Sequence, residues 1–237
     1  MNKQHIVIIS GAGVSAESGL TTYPYVDEDL WDMYDITQLT SAKAFNADPE
    51  LVLRFYNERR KNVESAHPNS AHSAVADLEK YFDVTVITQN VDDLHERAGS
   101  TNVIHIHGEI LKAQSSKDPN LITDTRGKDI NVGDLCKLGS QLRPNVVWFG
   151  EDKPMMTTAT NVITHADVLL VIGTSLAVYP AASLVTEAPP EIPIIVVSLE
   201  IETELENAVL IQEKAVTAIP RLVNHWLEER VIDLAGF

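Results

Sequence analysis

Apolar residues in this chain gather into short continuous runs, and between the runs they recur at helical spacing. Five runs read as strands: Ile6–Ser10, Val84–Thr88, Val103–Ile106, Val168–Ile172 and Ile194–Val197. They are rich in Val and Ile and do not alternate with polar residues, the pattern of strands covered on both faces. Helical stretches lie between them. Pro68-Asn69-Ser70 supplies cap-type residues ahead of a helix over Ala71–Tyr81, and a helix over Asp92–Ala98 stops at Gly99. This alternation predicts an α/β fold, a doubly wound Rossmann-like parallel sheet with ligand at the carboxyl ends of its strands. Two stretches break it. About Leu30 to Ala66 carries helical patterns and no clear strand, and about Ser115 to Gln141 is polar and rich in Lys, Asp, Asn and Gly.

The first strand runs into Ser10-Gly11-Ala12-Gly13-Val14-Ser15-Ala16-Glu17-Ser18-Gly19. Gly11-x-Gly13-x-x-Ala16 fits the spacing by which a strand–turn–helix unit meets a dinucleotide pyrophosphate. Glycines allow the tight turn and a close approach to phosphate, and a helix start favours the anion. No strand follows at the distance where the acidic ribose ligand usually stands.

The chain's 237 residues suit one large domain with a smaller insert. A formal net charge of −16 argues against nucleic acid as a partner and leaves open basic, lysine-bearing protein segments. No apolar run is long enough to span a membrane. Met1-Asn2-Lys3-Gln4 leads directly into a strand, so no leader is expected, and the single cysteine, Cys136, fits a reducing cytoplasm.

Further motifs follow in order: Thr88-Gln89-Asn90-Val91-Asp92-Asp93-Leu94-His95, Ile106-His107-Gly108-Glu109, Val146-Val147-Trp148-Phe149-Gly150-Glu151 and Gly173-Thr174-Ser175-Leu176. Together with the glycine turn they resemble the sirtuins, NAD-dependent protein-lysine deacylases, from about Ile6 to about Val223. The resemblance implies NAD as cosubstrate and acylated lysines of proteins as substrate. It also implies a large domain from 1–31, 76–112 and 141–237. The small domain would combine a helical insert, 32–75, with the remnant of a zinc-ribbon-like insert, 113–140. Tyr56-x-x-Arg59 is similar to the subgroup that removes succinyl and malonyl groups.

His107 ends a strand, precedes a glycine and is a candidate general base. In the family a histidine at this position draws a proton from a ribose hydroxyl after nicotinamide leaves. His105 lies two residues earlier on the same face, but no further ligand cluster in the sequence supports a metal pair, and no metal is expected. Gln89, Asn90 and Asp92 resemble the contacts to nicotinamide and ribose, and Asn90 is grouped with His107 as catalytic. Asp92 or Asp93 also suits a helix cap, while Asp93, His95 and Glu96 read as surface helix residues. The remaining cofactor contacts implied are Gly11, Ala12, Gly13, Ala16 and Glu17 in the turn, Tyr23 beyond it, Gly173, Thr174 and Ser175 after the fourth strand, and Ser198 and Glu200 after the fifth. On the substrate side, Val147, Phe149 and Gly150 belong to the segment that pairs with the peptide. Trp148 reads as core. Tyr56 and Arg59, at i and i+3 on a helix, share a face able to hold an acyl carboxylate.

Two departures from the family stand out. Gln114-Ser115-Ser116-Lys117 carries no thiol where a cysteine pair is usual, and the second pair keeps only Cys136. One thiolate cannot hold a tetrahedral structural zinc, so we expect no zinc and a loop held by packing. Pro24 replaces an arginine in the 20–29 loop that closes over NAD, and Tyr23 stands where a phenylalanine shields the ribose. Slow turnover or an altered cofactor pose would follow. The alternatives to a deacylase are an NAD- or ADP-ribose-binding module, an NAD hydrolase or an ADP-ribosyltransferase.

Overall fold

The computed structural model describes residues 3–20, 36–176, 181–200, 205 and 208–232. Six parallel strands form the main sheet: β1 His5–Ser10, β2 Asp83–Thr88, β3 Val103–His105, β7 Val168–Ile172, β8 Ile194–Val197 and β9 Ala208–Ile211. Their spatial order is β3-β2-β1-β7-β8-β9. Chain order therefore runs outward from β1 in one direction and then, from β7, in the other. The β1/β7 boundary is a topological switch point, where such sheets open a crevice at the carboxyl ends of the strands. Ile6 sits in register with Val84 on one side and Val168 on the other, so the tips of the three strands lie level.

The five strands expected from apolar runs are all present, each within one residue at either end. Successive side chains of β1 serve opposite faces. Ile6 and Ile8 join Ala71, Val75, Ala218, Leu222 and Trp226 on one face, whereas Val7 and Ile9 join Ala159, Ile163 and Leu184 on the other. The first face is covered by helices α3 Ser70–Asp77 and α7 Ala215–Glu229, and the second by α5 Met156–Ile163 and α6 Ala181–Val185. α3 begins in a reciprocal cap, in which the Asn69 side chain accepts from the His72 amide and the His72 ring accepts from the Asn69 amide. It ends earlier than the sequence pattern implies, at Asp77, with one 3-10 turn continuing to Lys80. α4, Leu94–Ala98, ends at Gly99 as expected, with Gly99 at φ 113.

A second, antiparallel sheet joins β4 Gly108–Ser115, β5 Ile122–Asp124 and β6 Leu142–Val146. Sequence pattern does not show it. With α1 Ala42–Ala47 and α2 Pro49–Ser65 it encloses a separate apolar cluster that includes Leu53, Phe55, Tyr56, Ile110, Val146 and Trp148. α2 starts on Asp48, whose side chain accepts from the Leu51 amide, with Pro49 in the first turn where its missing N–H costs nothing.

The region around Cys136 is not held by packing. Val132, Leu135 and Leu138 are exposed. Hydrogen bonds hold the turn instead: the Cys136 amide donates to the Ser140 carbonyl at 2.8 Å, and the Leu138 amide reaches Cys136 Sγ. Ser140 Oγ lies 3.0 Å from Cys136 Sγ and 2.7 Å from Ser115 Oγ. Ser115 Oγ in turn accepts from the Lys117 and Asp118 amides.

Candidate active site

The glycine turn is packed on the loop after β7. The Gly11 amide donates to the Ile172 carbonyl at 2.9 Å and the Gly13 amide to the Gly173 carbonyl at 2.8 Å. A Cβ on Gly13 would stand 2.8 Å from Gly173 Cα, and one on Gly173, at φ +63, would stand 2.3 Å from the Val14 nitrogen. These glycines are therefore required first by backbone meeting backbone across the switch point, and the amides of Gly11 and Gly13 are already engaged. The turn continues as two single 3-10 turns, Ala12–Val14 and Ala16–Ser18, and not as an α-helix. Ala16 and Glu17 are exposed, and Glu17 pairs with Lys214 at 2.8 Å.

Beneath this turn lies a buried polar network. Asn90 Nδ2 donates to the Gly11 carbonyl at 3.2 Å and to Ser15 Oγ at 3.1 Å, which leaves Asn90 Oδ1 without a donor among the described residues. Ser15 Oγ donates to Asp92 Oδ2 at 3.0 Å, and Asp92 Oδ1 accepts from the Leu94 amide at 3.1 Å. Asp92, not Asp93, thus caps the start of α4. Burial raises the Asp92 pKa, against these two bonds and the charge of His105, which lower it.

Asp93 and His95 are not surface residues. They are 8% and 2% exposed, respectively. His95 Nε2 lies 2.9 Å from Ser10 Oγ, and its ring meets His72 edge-on at 4.9 Å. Desolvation pushes the pKa of His95 down to about 3 and that of His72 down to about 4, so both are neutral. Glu96 is partly exposed and its Oε1 lies 2.7 Å from His105 Nε2.

His107 stands in the turn between β3 and β4. Its Nδ1 lies 2.9 Å from the Gln89 carbonyl, and its pKa is lowered by burial and by Lys153, against that bond. The Gly108 that follows has φ +82, and a Cβ there would lie 2.3 Å from the Asn145 carbonyl oxygen. That close approach lets β6 run alongside, so that the Val147 amide donates to the His107 carbonyl at 2.9 Å. His107 and the predicted substrate segment are thereby joined through main chain.

His105, two residues earlier at the end of β3, has both nitrogens against acceptors, Glu96 Oε1 and the Asn90 carbonyl at 3.0 Å. Burial lowers its pKa, but Glu96 and Asn90 outweigh it, and the net direction is up. Glu96, His105 and Glu109 have ligand atoms within 4.8 Å of one another, a grouping the sequence did not reveal. Each is otherwise paired, Glu96 with His105 and Glu109 with Lys112, and His107 is not among them.

Around the crevice, Gln89 Nε2 lies 3.4 Å from Thr174 Oγ1, which also accepts from the Leu176 amide. Ser175 is half-buried beside them. Past β8, Ser198 is buried with its hydroxyl donating to the Glu200 carbonyl at 2.9 Å, and Glu200 is exposed. Tyr23, Pro24 and the rest of 21–29 lie outside the described residues.

On the substrate side, Val147 is half-buried, Phe149 is 55% exposed and Gly150 is exposed, whereas Trp148 is buried at 2%. The Phe149 amide donates to the Thr40 carbonyl, tying this segment to the helical insert. Tyr56 is buried and Arg59 half-buried on α2. The Arg59 guanidinium lies 5.6 Å over the Phe55 ring, and burial lowers its pKa. No carboxylate pairs with it among the described residues.

A doubly wound parallel sheet with polar residues gathered at its switch point, beside a small antiparallel sheet with its own apolar cluster, defines an α/β protein. Comparison with known proteins places it further. The Sir2 family model matches residues 11–180, and the chain belongs to this family. An NAD-dependent protein deacylase of Helicobacter pylori is 46% identical over 227 residues, covering 95% of this chain and 98% of the relative. One from Aggregatibacter actinomycetemcomitans is 50% identical over 183 residues, 77% of this chain and 87% of the relative. Among solved structures, a Sir2 homologue in complex with NAD superposes with a TM-score of 0.86 at 39% identity, covering 97% of this chain and 91% of that one. A Sir2 bound to acetylated peptide superposes with a TM-score of 0.74 at 27% identity, covering 98% and 95%.

Proposed function

We propose that this chain removes acyl groups from protein lysines with NAD as cosubstrate, and that it favours acyl chains ending in a carboxylate, such as succinyl and malonyl. The relatives' names support the NAD-dependent deacylase part. The donor set fits the dinucleotide: Asn90 Oδ1 is an open acceptor at the switch point, and Gln89, Thr174 and Ser175 ring the same crevice. NAD supplies the electrophilic ribose carbon and the nicotinamide leaving group.

This chain's residues bind and move a proton around that chemistry. His107 Nδ1–H donates to the Gln89 carbonyl, so Nε2 carries the lone pair that accepts a ribose hydroxyl proton. Its lowered pKa keeps that nitrogen free at neutral pH. Asn90 orients the ribose or carboxamide through Oδ1. Val147 and Phe149 flank the lysine chain, with the His107 carbonyl bond holding Val147 in register.

One observation carries the acyl preference. Arg59 is desolvated beside the Tyr56 phenol and has no carboxylate partner among the described residues. A substrate carboxylate would complete it, through charge-assisted bonds worth roughly 1.5–3 kcal/mol. The test is Arg59→Met, assayed on succinyl and acetyl versions of one peptide. We expect the succinyl-to-acetyl ratio of kcat/KM to fall about tenfold or more. An unchanged ratio returns the substrate to plain acetyl-lysine.

A further inference from the structure

Trp148 sits between two residues assigned to the substrate segment, yet its side chain turns into the core. It is fixed on several sides. Its amide donates to Glu151 Oε2 at 2.9 Å, its ring packs on Phe45 at 5.3 Å, and the Arg143 guanidinium lies 4.1 Å over it. Arg143 is itself held by Glu151 at 2.9 Å. The remaining polar atom, indole Nε1, donates to Tyr56 Oη at 3.0 Å.

An indole N–H can only donate, so Tyr56 must be the acceptor in this bond. The phenol therefore has its own proton left over, and that proton has no acceptor among the described residues. A free tyrosine hydroxyl can turn either a lone pair or its proton toward a ligand. Here the indole occupies one acceptor position, so the proton is turned away from Trp148 and is what the buried hydroxyl offers a further partner.

We propose that Trp148 is a positioning residue for acyl choice: its indole N–H commits the Tyr56 hydroxyl to donate, which selects an acceptor-only group such as a carboxylate. Because Trp148 belongs to the same segment as Val147 and Phe149, it also links the reader of the acyl end to the residues that hold the lysine. This rests on the reading of Tyr56 and Arg59 given above.

The test is a double-mutant cycle in the full chain. Trp148→Phe, Tyr56→Phe, the double variant and Arg59→Met are assayed at saturating NAD on succinyl and acetyl forms of one peptide. Trp148→Phe should lower the succinyl-to-acetyl ratio of kcat/KM about three- to tenfold, and the double variant should be no worse than Tyr56→Phe alone. Replacing Trp148 by 3-benzothienylalanine keeps the ring volume and deletes the N–H, and should give the same fall if the phenylalanine variant does not fold. Equal losses on both peptides, or losses that multiply in the double variant, overturn the proposal. If Arg59→Met leaves the ratio unchanged, the carboxylate reading itself fails. If Arg59→Met lowers it and Trp148→Phe does not, only the role of Trp148 fails.

Discussion

The Nδ1 atom of His107 stands 2.9 Å from the main-chain carbonyl of Gln89, and this contact decides which ring nitrogen is free. A carbonyl can only accept, so Nδ1 carries the proton and Nε2 the lone pair. Gln89 is the first residue after β2, so the proposed base, His107, is oriented by the same loop that carries Asn90. His107→Ala should lower the deacylation rate about 10²–10⁴-fold while NAD binding survives. The acid limb of the rate profile should lie below the ordinary histidine value, because the base form is lost only as pH falls through a lowered pKa. Wild-type turnover in the variant at saturating NAD contradicts the assignment.

Gly173→Ala tests whether the glycine turn is a matter of packing. Its Cβ would meet the Val14 nitrogen at 2.3 Å, at φ +63. Gly19, at φ +83, has nothing within 4 Å of such a Cβ. The Gly19→Ala change should cost only the left-handed backbone term, roughly 1–2 kcal/mol. Gly173→Ala should cost more and weaken NAD binding as the crevice wall shifts. Equal urea midpoints for the two variants contradict the packing account.

Stability should fall on acidification because of His72 and His95. In the unfolded chain both titrate near 6.5; in the fold they stay neutral down to about 4 and about 3. Between pH 6.5 and about 4 the unfolded state thus binds protons that the folded state refuses. Each histidine tilts stability by up to about 1.4 kcal/mol per pH unit over that window. Urea denaturation at several pH values in His95→Asn should show a shallower slope than the parent protein, and an identical slope contradicts this.

The Ser115–Ser140–Cys136 hydrogen bonds occupy the place where cysteine pairs are usual in the family. Hydrogen bonds from Ser115 and Ser140 lower the thiol pKa to about 6, so Cys136 should be alkylated readily at neutral pH, and Ser140→Ala should slow that reaction. Elemental analysis should find no stoichiometric zinc, and chelators should leave the melting temperature unchanged. About one zinc per chain contradicts this.

How much was legible in the sequence depended on whether a residue's partner was local. Strands β1, β2, β7 and β8 announce themselves because both faces are buried. β4 does not: Gln114 and Ser115 are polar yet buried, paired in the sheet with Arg143 and Leu142 of β6, well along the chain. β9 leaves little trace in the pattern, being a four-residue strand at the sheet edge with Leu210 exposed. His95 resembled a surface helix residue because its partner, Ser10, lies 85 residues earlier. The glycines were legible as a turn, but their main contact, Gly173, is visible only in the fold.

The most direct test of the account is a single incubation of the protein with NAD and matched succinyl, malonyl and acetyl peptides, reading nicotinamide and deacylated peptide together. The account predicts equal amounts of the two products, with more from the succinyl and malonyl peptides than from the acetyl one. Nicotinamide without deacylated peptide, or neither product with any peptide, contradicts it.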